Sequence, residues 1–342
     1  MTDELRVIDF GHSSPLRSQT LWHAVAYGVS AGAPATLSFV RPAEPYVCLG
    51  YHRDVAEIDL DYCRTNRLPL LRRMVGGGPV YLDQGQLFFQ ICLPSRSLPA
   101  IRSQALRRLL EPAVTAFHAV GVPAVLDDEL EICVGDRKIC GHGAGQIEDG
   151  VVVCGNLIET FDHERATRVL ALSDPVHREV TLALMRRFVA ATPVDPAAFR
   201  AAMAEAYSSA FGLSGAPGEL SGIERKTLTD LDERFSSDGW LAGTRRSGEA
   251  TVAAPRARQI KVRAGIWTFA ATYDGARVTA SVVRGRIEQV HLYDRALNGS
   301  SREVERAVTG IGLHSVAQVL AGFGDPGRRL ATAFATADPG RI

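Results

Sequence analysis

The sequence is short of lysine, of net charge and of long apolar runs, and each shortage excludes something. Only three residues are lysines, namely Lys138, Lys226 and Lys261, so chemistry that needs a lysine ammonium has three candidates. The 38 Lys and Arg residues balance 38 Asp and Glu residues, so no broad basic field favours nucleic acid. No stretch has the pattern of a membrane anchor, and the acidic N-terminus lacks the features of a secretory signal. We therefore expect a cytoplasmic protein that binds neither nucleic acid nor membranes.

Cysteine is also sparse and is not arranged for a metal or for disulfides. No C-x-x-C or H-E-x-x-H spacing occurs, so a structural zinc site and a disulfide framework are both disfavoured. We expect reduced cysteines, mostly buried in strands, because free cysteine is commonly buried. The six are Cys48, Cys63, Cys92, Cys133, Cys140 and Cys154.

Length and patterning predict two domains of the α+β class. The chain has 342 residues, of which 46% are hydrophobic, which suits two globular domains. Strand and helix patterns mingle without a regular βαβ repeat, which favours a mixed sheet with packed helices. Residues 246–255 contain almost no large apolar side chain, as an interdomain linker does. We predict a larger domain over residues 1–245 and a small α+β domain over residues 256–342, with three strands and two helices.

The densest motif is R-R-M-V-G-G-G-P-V-Y-L-D, residues 72–83. Three successive glycines expose backbone N–H groups with no Cβ in the way, so an anion or a flat nucleotide can approach closely. A flexible hairpin turn beside two solvated arginines explains the same residues equally well. No G-K-[ST] follows, and the glycine-rich run at 141–145 lacks the strand and helix that flank a dinucleotide fingerprint. A P-loop and a Rossmann motif are therefore excluded.

A second motif surrounds Lys138. Residues 130–141 read L-E-I-C-V-G-D-R-K-I-C-G, two alternating arms about a Gly135-Asp136 turn, which predicts a β-hairpin. A compact ammonium on a flexible stem suits an acyl carbonyl or a phosphate oxygen that must be held and then released. The alternative is an ordinary surface lysine on a hairpin arm.

The two motifs, in this order, resemble those of the lipoate-protein ligase family, within the biotin/lipoate ligase superfamily. The family pattern R-R-x-x-G-G-G-x-V-x-x-D is matched at every fixed position by residues 72–83. Its G-x-K-[IV]-x-G pattern is matched by residues 135–141, with one extra residue after the glycine. The segments WHAVAYG near Trp22, LGYHRD near Gly50 and IEQVHLYD in the second domain extend the resemblance over nearly the whole chain.

This resemblance implies a catalytic domain with a small C-terminal accessory domain, and a two-step reaction. ATP and lipoate would form lipoyl-adenylate and pyrophosphate, and the lipoyl group would then pass to a lysine of a lipoyl-carrier protein. Mg²⁺ is implied as a cofactor with unknown ligands. Lys138 would be catalytic, Asp83 would brace the loop, and Glu131 would lie near the nucleotide. By position, the substrate-binding residues would be Arg72, Arg73, Gly76, Gly77, Gly78, Val80, Asp83, Glu131, Gly141, Gly143, Ala144 and Asn156.

Three departures from the family pattern indicate a divergent branch. Glu131 stands where an aspartate is common, and His142 stands where a serine is usual. Cys154-Gly155-Asn156 replaces a frequent H-G-T. These patterns resemble ligases that serve lipoyl-carrier proteins of sulfur metabolism, which would change the acceptor and leave the reaction the same.

Three other functions are compatible with parts of the pattern. A lipoyl or octanoyl transferase of the same superfamily needs a cysteine thiolate in the loop before the lysine hairpin, and residues 122–132 contain no cysteine. Biotin ligation usually goes with a different arginine-glycine loop. A non-enzymatic module that binds lipoate or a nucleotide is the third, and an intact Lys138 with its glycine motif speaks against it.

Overall fold

The computed structural model describes residues 3–172, 174–243, 257–297 and 299–337. Within them, residues 3–170 and 190–243 form one compact unit, and residues 171–189 (apart from 173) and 257–337 form a second. The predicted linker, 246–255, lies outside the described residues, so the domain boundary there stays a prediction. Residues 171–189, which the sequence places in the larger domain, group with the second unit. No described helix is both long and apolar enough to cross a membrane.

In the described part of the first unit, strands carry the two motifs and helices lie between them. The strands are β1 (Glu4–Ser13), β2 (Ala35–Pro42), β3 (Tyr46–Leu49), β4 (Leu70–Arg72), β5 (Val80–Leu82), β6 (Gln86–Pro94), β7 (Val125–Leu126), β8 (Ile132–Val134), β9 (Arg137–Cys140), β10 (His142–Ile147), β11 (Gly150–Ile158) and β12 (Ser214–Pro217). The helices along the chain are α1 (Pro15–Ser30), α2 (Leu60–Thr65), α3 (Arg102–Ala119), α4 (His163–Arg168), α5 (Pro175–Phe188), α6 (Pro196–Phe211), α7 (Gly222–Phe235) and α8 (Asp238–Ala242), of which α5 belongs to the second unit.

A mixed sheet in the order β10-β11-β6-β2-β1-β12 is the centre of the first unit. β1 runs parallel to β2 and β12, and the other neighbours are antiparallel. Side chains alternate between the two faces. Leu37, Phe39, Phe89 and Ile91 belong to the core that includes α3 and α6, while the opposite face packs against α1. The expectation of a mixed α+β sheet with packed helices is confirmed.

Two three-stranded sheets attach to this layer and hold the motifs. β4-β3-β5 flanks the glycine run, and β7-β8-β9 contains the lysine hairpin. The turn of that hairpin falls at Gly135, whose φ of 56° is the left-handed conformation that glycine adopts without strain. The predicted hairpin is therefore confirmed.

A buried ion pair holds α7 against the sheet and against α1. The Arg6 guanidinium donates to both carboxylate oxygens of Glu224, at 2.8 and 2.5 Å. Glu224 is fully buried and packs where a Cβ on Gly28 would lie 2.2 Å from its Oε1 atom. Glycine at position 28 therefore lets α7 approach α1 closely, and α1 in turn carries a residue of the candidate site.

The second unit is a four-stranded antiparallel meander, where the sequence predicts three strands. Its strands are β13 (Ala257–Arg263), β14 (Ile266–Tyr273), β15 (Ala276–Val283) and β16 (Arg286–Tyr293). At the turn between β15 and β16, Arg284 and Gly285 have φ of 51° and 76°, as a tight hairpin turn requires. Besides α5, the described helices of this unit are α9 (Ser301–Val308), α10 (Val316–Ala321) and α11 (Gly324–Thr336), more than the two predicted.

Candidate active site

The glycine loop, residues 73–79, joins β4 to β5 and is shaped by Arg73. The Arg73 Nη2 atom donates to the carbonyl oxygens of Gly76 and Gly78, at 2.8 and 3.0 Å. Because a peptide group is planar and trans, the amide N–H of Gly77 then points away from Arg73. Gly77 and Gly78 are exposed, and no described residue accepts a hydrogen bond from the three glycine amides. The loop therefore presents free backbone donors of the kind that bind anions.

Arg72 is buried behind the glycine loop and bonds to backbone carbonyls. The residue is 1% exposed, and its guanidinium donates to the carbonyl oxygens of Gly50, Tyr51, Arg53 and Leu241, at 2.6 to 3.1 Å. All three nitrogens are engaged, since a buried guanidinium must replace its lost hydration with acceptors. Arg72 therefore ties residues 50–53 to Leu241 behind the loop, and its expected place in the substrate site stays a prediction.

His23, to which the sequence analysis assigned no role, supports the loop from α1. Its Nε2 atom accepts the backbone N–H of Met74 at 3.0 Å, and its Nδ1 atom donates to the carbonyl of Gln19 at 2.6 Å. Burial lowers the pKa of His23 to about 3, so the ring is neutral at physiological pH. A neutral ring with one donor and one acceptor is the form that these two bonds require. The available signal was a lone histidine within the mostly apolar run of residues 21–29 in α1.

Lys138 lies on β9 and pairs with Glu131. The Nζ–Oε1 distance is 3.0 Å, and the side chains are 17% and 7% exposed. The neighbouring Ile139 is in the core, which anchors the hairpin arm. A lysine ammonium has three N–H donors, so this pair leaves it capacity for substrate oxygens. The alternative of an ordinary solvated lysine does not describe a side chain this buried.

Gly141 and Asn156 connect the lysine hairpin to the main sheet. The Gly141 N–H donates to Oδ1 of Asn156 at 2.6 Å, and Nδ2 of Asn156 donates to Oε1 of Gln86 at 2.8 Å. Asn156 is thereby fixed in one orientation on β11. The chain passes from β9 into β10 at this bond, three residues after Lys138.

β10 packs directly against the glycine loop. A Cβ on Gly143 would lie 3.5 Å from the carbonyl oxygen of Gly76, and one on Gly145 would lie 2.7 Å from a methyl group of Val75. Ala144, between them, packs against the main core. The structure thus brings the glycine loop together with β10, the strand that carries Gly143 and Ala144, which the resemblance assigned to substrate binding.

Val80 and Asp83 lie farther along the chain, on and after β5. Val80 is 37% exposed and can offer an apolar surface. The Asp83 Oδ1 atom accepts the Gly85 N–H at 3.0 Å, so its observed bond braces the β5–β6 turn. Its predicted role as a brace of the glycine loop stays a prediction.

Asp127, Glu131 and Cys133 are close enough to hold a cation, with one ligand atom of each within 4.8 Å of the others. The set does not suit Mg²⁺, which prefers oxygen ligands in octahedral geometry, because a thiol is a soft ligand. Asp127 Oδ1 already accepts the backbone N–H groups of Glu129 and Glu131, at 3.0 and 2.8 Å. A protein-held magnesium ion is therefore not supported here.

The six cysteines all lie in the described residues, and their burial disfavours a role as nucleophile. Five are buried, and Cys154 is partly so. Burial raises the pKa of Cys63 to about 11 and that of Cys140 to about 12, and it also raises the pKa of Cys48, Cys92 and Cys154. Thiols with such pKa values remain protonated at neutral pH, whereas the thiolate is the nucleophile.

Residues 16–207, more than half of the chain, match the family model described as lipoyl protein ligase A/B catalytic domain. The chain belongs to this family. Among curated relatives, this lipoyl protein ligase A/B family member is 26% identical over 274 residues to octanoyltransferase LipM of Symbiobacterium thermophilum, covering 70% of the chain and 98% of that relative. It is 27% identical over 218 residues to lipoate-protein ligase A subunit 1 of Thermoplasma acidophilum, covering 58% and 82%.

A solved structure confirms the fold of this family member. It is the bi-partite lipoate protein ligase of Thermoplasma acidophilum, studied with its E2 lipoyl domain, with a TM-score of 0.64 and 23% identity. The match covers 72% of the present chain and 99% of that chain. The expected family and fold are therefore confirmed, while the relatives' names divide between a ligase and an acyl transferase.

Proposed function

We propose that the protein attaches lipoate to a lysine of a lipoyl-carrier protein, using ATP. In the first step a carboxylate oxygen of lipoate attacks the α-phosphorus of ATP, and pyrophosphate leaves. In the second step the amine of the acceptor lysine, having lost a proton, attacks the acyl carbon, and AMP leaves. Activation is needed because a free carboxylate has no adequate leaving group for amide formation. No bond to the enzyme forms in either step.

The choice of a ligase rests on the burial of the cysteine thiols and on their raised pKa values. An acyl transferase of this superfamily would hold its acyl group on a cysteine, which must ionise and be reachable. Residues 122–132 contain no cysteine, and the described cysteines are buried, with Cys154 partly so. Direct transfer from an adenylate avoids the need for a thiolate, and it is the chemistry that this set of residues supports best.

The glycine loop and Lys138 supply what an adenylate needs. Charge grows on the phosphate and acyl oxygens in the first transition state, and preorganised donors stabilise it. The Gly77 amide, directed outward by the Arg73 bonds, is one such donor. The Lys138 ammonium, held by Glu131 at 3.0 Å, is a second, positioned without being fully exposed. Arg72 contributes indirectly, by fixing the backbone behind the glycine loop at Gly50 and Leu241.

Mg²⁺ would reach this site bound to the nucleotide, not to protein ligands. The mixed donor set of Asp127, Glu131 and Cys133 does not suit it. Magnesium in nucleotide enzymes is often bound largely by substrate phosphates and water.

An octanoyl transferase is the second candidate, and one observation favours it. The LipM relative is covered over 98% of its length, more than the 82% of the ligase relative. That reaction would move an octanoyl group from a carrier through a cysteine thioester, without ATP.

The ligase relative's solved structure is described with an E2 lipoyl domain, which supports a lipoyl-carrier acceptor for this chain too.

Pyrophosphate release and acceptor mass together test the proposal. We expect lipoate-dependent release of pyrophosphate from ATP, followed by a lipoyl mass shift on a lipoyl domain. Octanoate and biotin are each tested in place of lipoate as the acid to be activated. Transfer from octanoyl-carrier protein without ATP, with a thioester on the enzyme, would establish the transferase instead.

A further inference from the structure

β10 is an edge strand of the main sheet, and among the described strands none pairs with its outer side. Proteins usually protect such edges with charge, proline or short length, because unpaired N–H and C=O groups recruit another chain. The opposite edge strand, β12, has four residues and ends in Pro217. β10 has six residues, H-G-A-G-Q-I, and contains no Lys, Arg, Asp, Glu or Pro. Its edge is long and unprotected.

The pairing register identifies which groups of β10 face outward. A two-residue turn joins β10 to β11, with Ile147 opposite Gly150, and such hairpins close on a hydrogen-bonded pair. On the other side of β11, Gly150 lies opposite Pro94, which has no N–H to donate. Gly150 therefore directs its backbone N–H and C=O groups towards β10, which agrees with a hydrogen-bonded pair between Ile147 and Gly150.

Bonded and non-bonded pairs alternate along an antiparallel ladder. Counting from Ile147, the backbone N–H and C=O groups of Ala144 and Gln146 point away from β11. No hydrogen bond joins these backbone groups to any other residue within the described ranges. They are ready to pair with an added strand.

This edge is continuous with the candidate active site. β10 begins one residue after Gly141, and Lys138 lies only three residues before Gly141. On one face of β10, Gly143 and Gly145 contact the glycine loop. A segment that pairs with β10 would therefore run directly beside the groups assigned to the adenylate.

We propose that the acceptor carrier docks by adding the extended segment beside its target lysine to the outer edge of β10. This rests on the proposed function. A six-residue strand spans only about 20 Å, so pairing along it alone buries much less than the roughly 800 Å² per partner of a stable interface. The edge therefore suits a transient substrate better than a second copy of this chain.

Gln146 offers a test that leaves the substrate-binding residues intact. Gln146→Pro removes an outward N–H without removing a bond to β11, as proline is tolerated at such edge positions. Gln146→Thr keeps the N–H and is the matched control. Gln146→Lys, at an exposed side chain, adds charge to the edge if the proline variant folds poorly. Circular dichroism establishes folding for all three.

Two half-reactions separate docking from adenylation. We expect lipoate-dependent pyrophosphate release within twofold of the unchanged protein in all variants. Transfer to the lipoyl domain, as kcat/KM for the carrier, should fall at least tenfold in the proline and lysine variants and stay near normal in the threonine variant.

Equal transfer in the folded proline and lysine variants would overturn the proposal, as would an equal loss in the threonine control. A stable dimer in sedimentation that Gln146→Pro dissociates would assign the edge to a second copy and also overturn it. Titration of unmodified carrier without ATP tests docking independently. If no pyrophosphate is released but the carrier binds the unchanged protein and not the proline or lysine variants, the proposed reaction fails and the docking surface stands.

Discussion

A Cβ on Gly50 would lie 2.0 Å from the carbonyl oxygen of Gly77. The two glycines belong to separate motifs, and their contact sets the position of the glycine loop. Backbone bonds flank it, from the Tyr51 N–H to Val75 and from the Arg73 N–H to Leu49, both at 3.0 Å. Because the opposing atom is backbone, no side-chain rotation can relieve a clash there.

Gly50→Ala should therefore displace the loop. We expect at least a tenfold loss of lipoate-dependent pyrophosphate release, because misplaced donors lose much of their effect on a transition state. Gly222→Ala is the control, since a Cβ there meets nothing within 4 Å. Equal activities of the two variants would show that the contact does not matter for the reaction.

Arg72→Ala should destabilise the first unit by about 3 kcal/mol or more, because several buried carbonyls lose their donor at once. Arg72→Lys should recover little, since an ammonium cannot reproduce the planar fork. Urea unfolding measures both. Arg64→Ala removes an exposed arginine paired with Asp61, so it should change the unfolding free energy by less than about 1 kcal/mol.

The two motifs were predictable because their information is local. Spacing within residues 72–83 and 130–141 indicates a glycine turn and a hairpin, and the structure contains both. The hydrogen bonds that hold the backbone behind the glycine loop were not predictable, because they join segments that are distant in the chain. Arg72 and Leu241 are 169 residues apart in the chain, and neither the spacing nor the composition relates them. A motif arginine looks the same in sequence whether it binds a ligand or a set of carbonyls.

The assignment of α5 to the second unit could not be predicted from the sequence, for a different reason. Residues 171–189 look helical wherever they pack, so periodicity could not assign α5 to a unit. In the structure, the His177 imidazole on α5 meets the hydroxyl of Thr268 at 3.0 Å, and Asp174 accepts from Thr279 at 2.7 Å. These contacts are polar, and hydrophobic patterning does not reveal such pairs.

His23 should make stability depend on pH. Its folded pKa of about 3 lies below the ordinary 6.5, so the unfolded chain binds a proton that the folded protein does not. The stability that the protein gains from keeping His23 neutral is fully present above about pH 6.5 and is lost as pH falls towards 3. We expect His23→Gln to reduce the slope of unfolding free energy against pH, between pH 6 and 5, by up to about 1.4 kcal/mol per unit. An unchanged slope would mean that His23 titrates normally.

Single replacement of Cys133, Cys140 or Cys154 by Ala should preserve activity, apart from packing losses of a few kcal/mol at most. An adenylate route needs no thiol. Mass spectrometry of the enzyme after incubation with acyl donor checks for a trapped thioester. Complete loss in one folded variant, together with such an adduct on the unchanged protein, would favour the transferase.

Lys138→Ala tests the central claim most directly, through lipoate-dependent pyrophosphate release. Because the change leaves Glu131 buried without its 3.0 Å partner, Lys138→Ala with Glu131→Gln is measured beside it, and Lys226→Ala is the exposed control. Removing one such electrostatic contact costs about 3–4 kcal/mol, or roughly 10²–10³-fold in rate. We predict that loss in both Lys138 variants, poor recovery with Lys138→Arg, and a normal rate in the Lys226 control. Near-normal pyrophosphate release from folded Lys138→Ala would contradict the account.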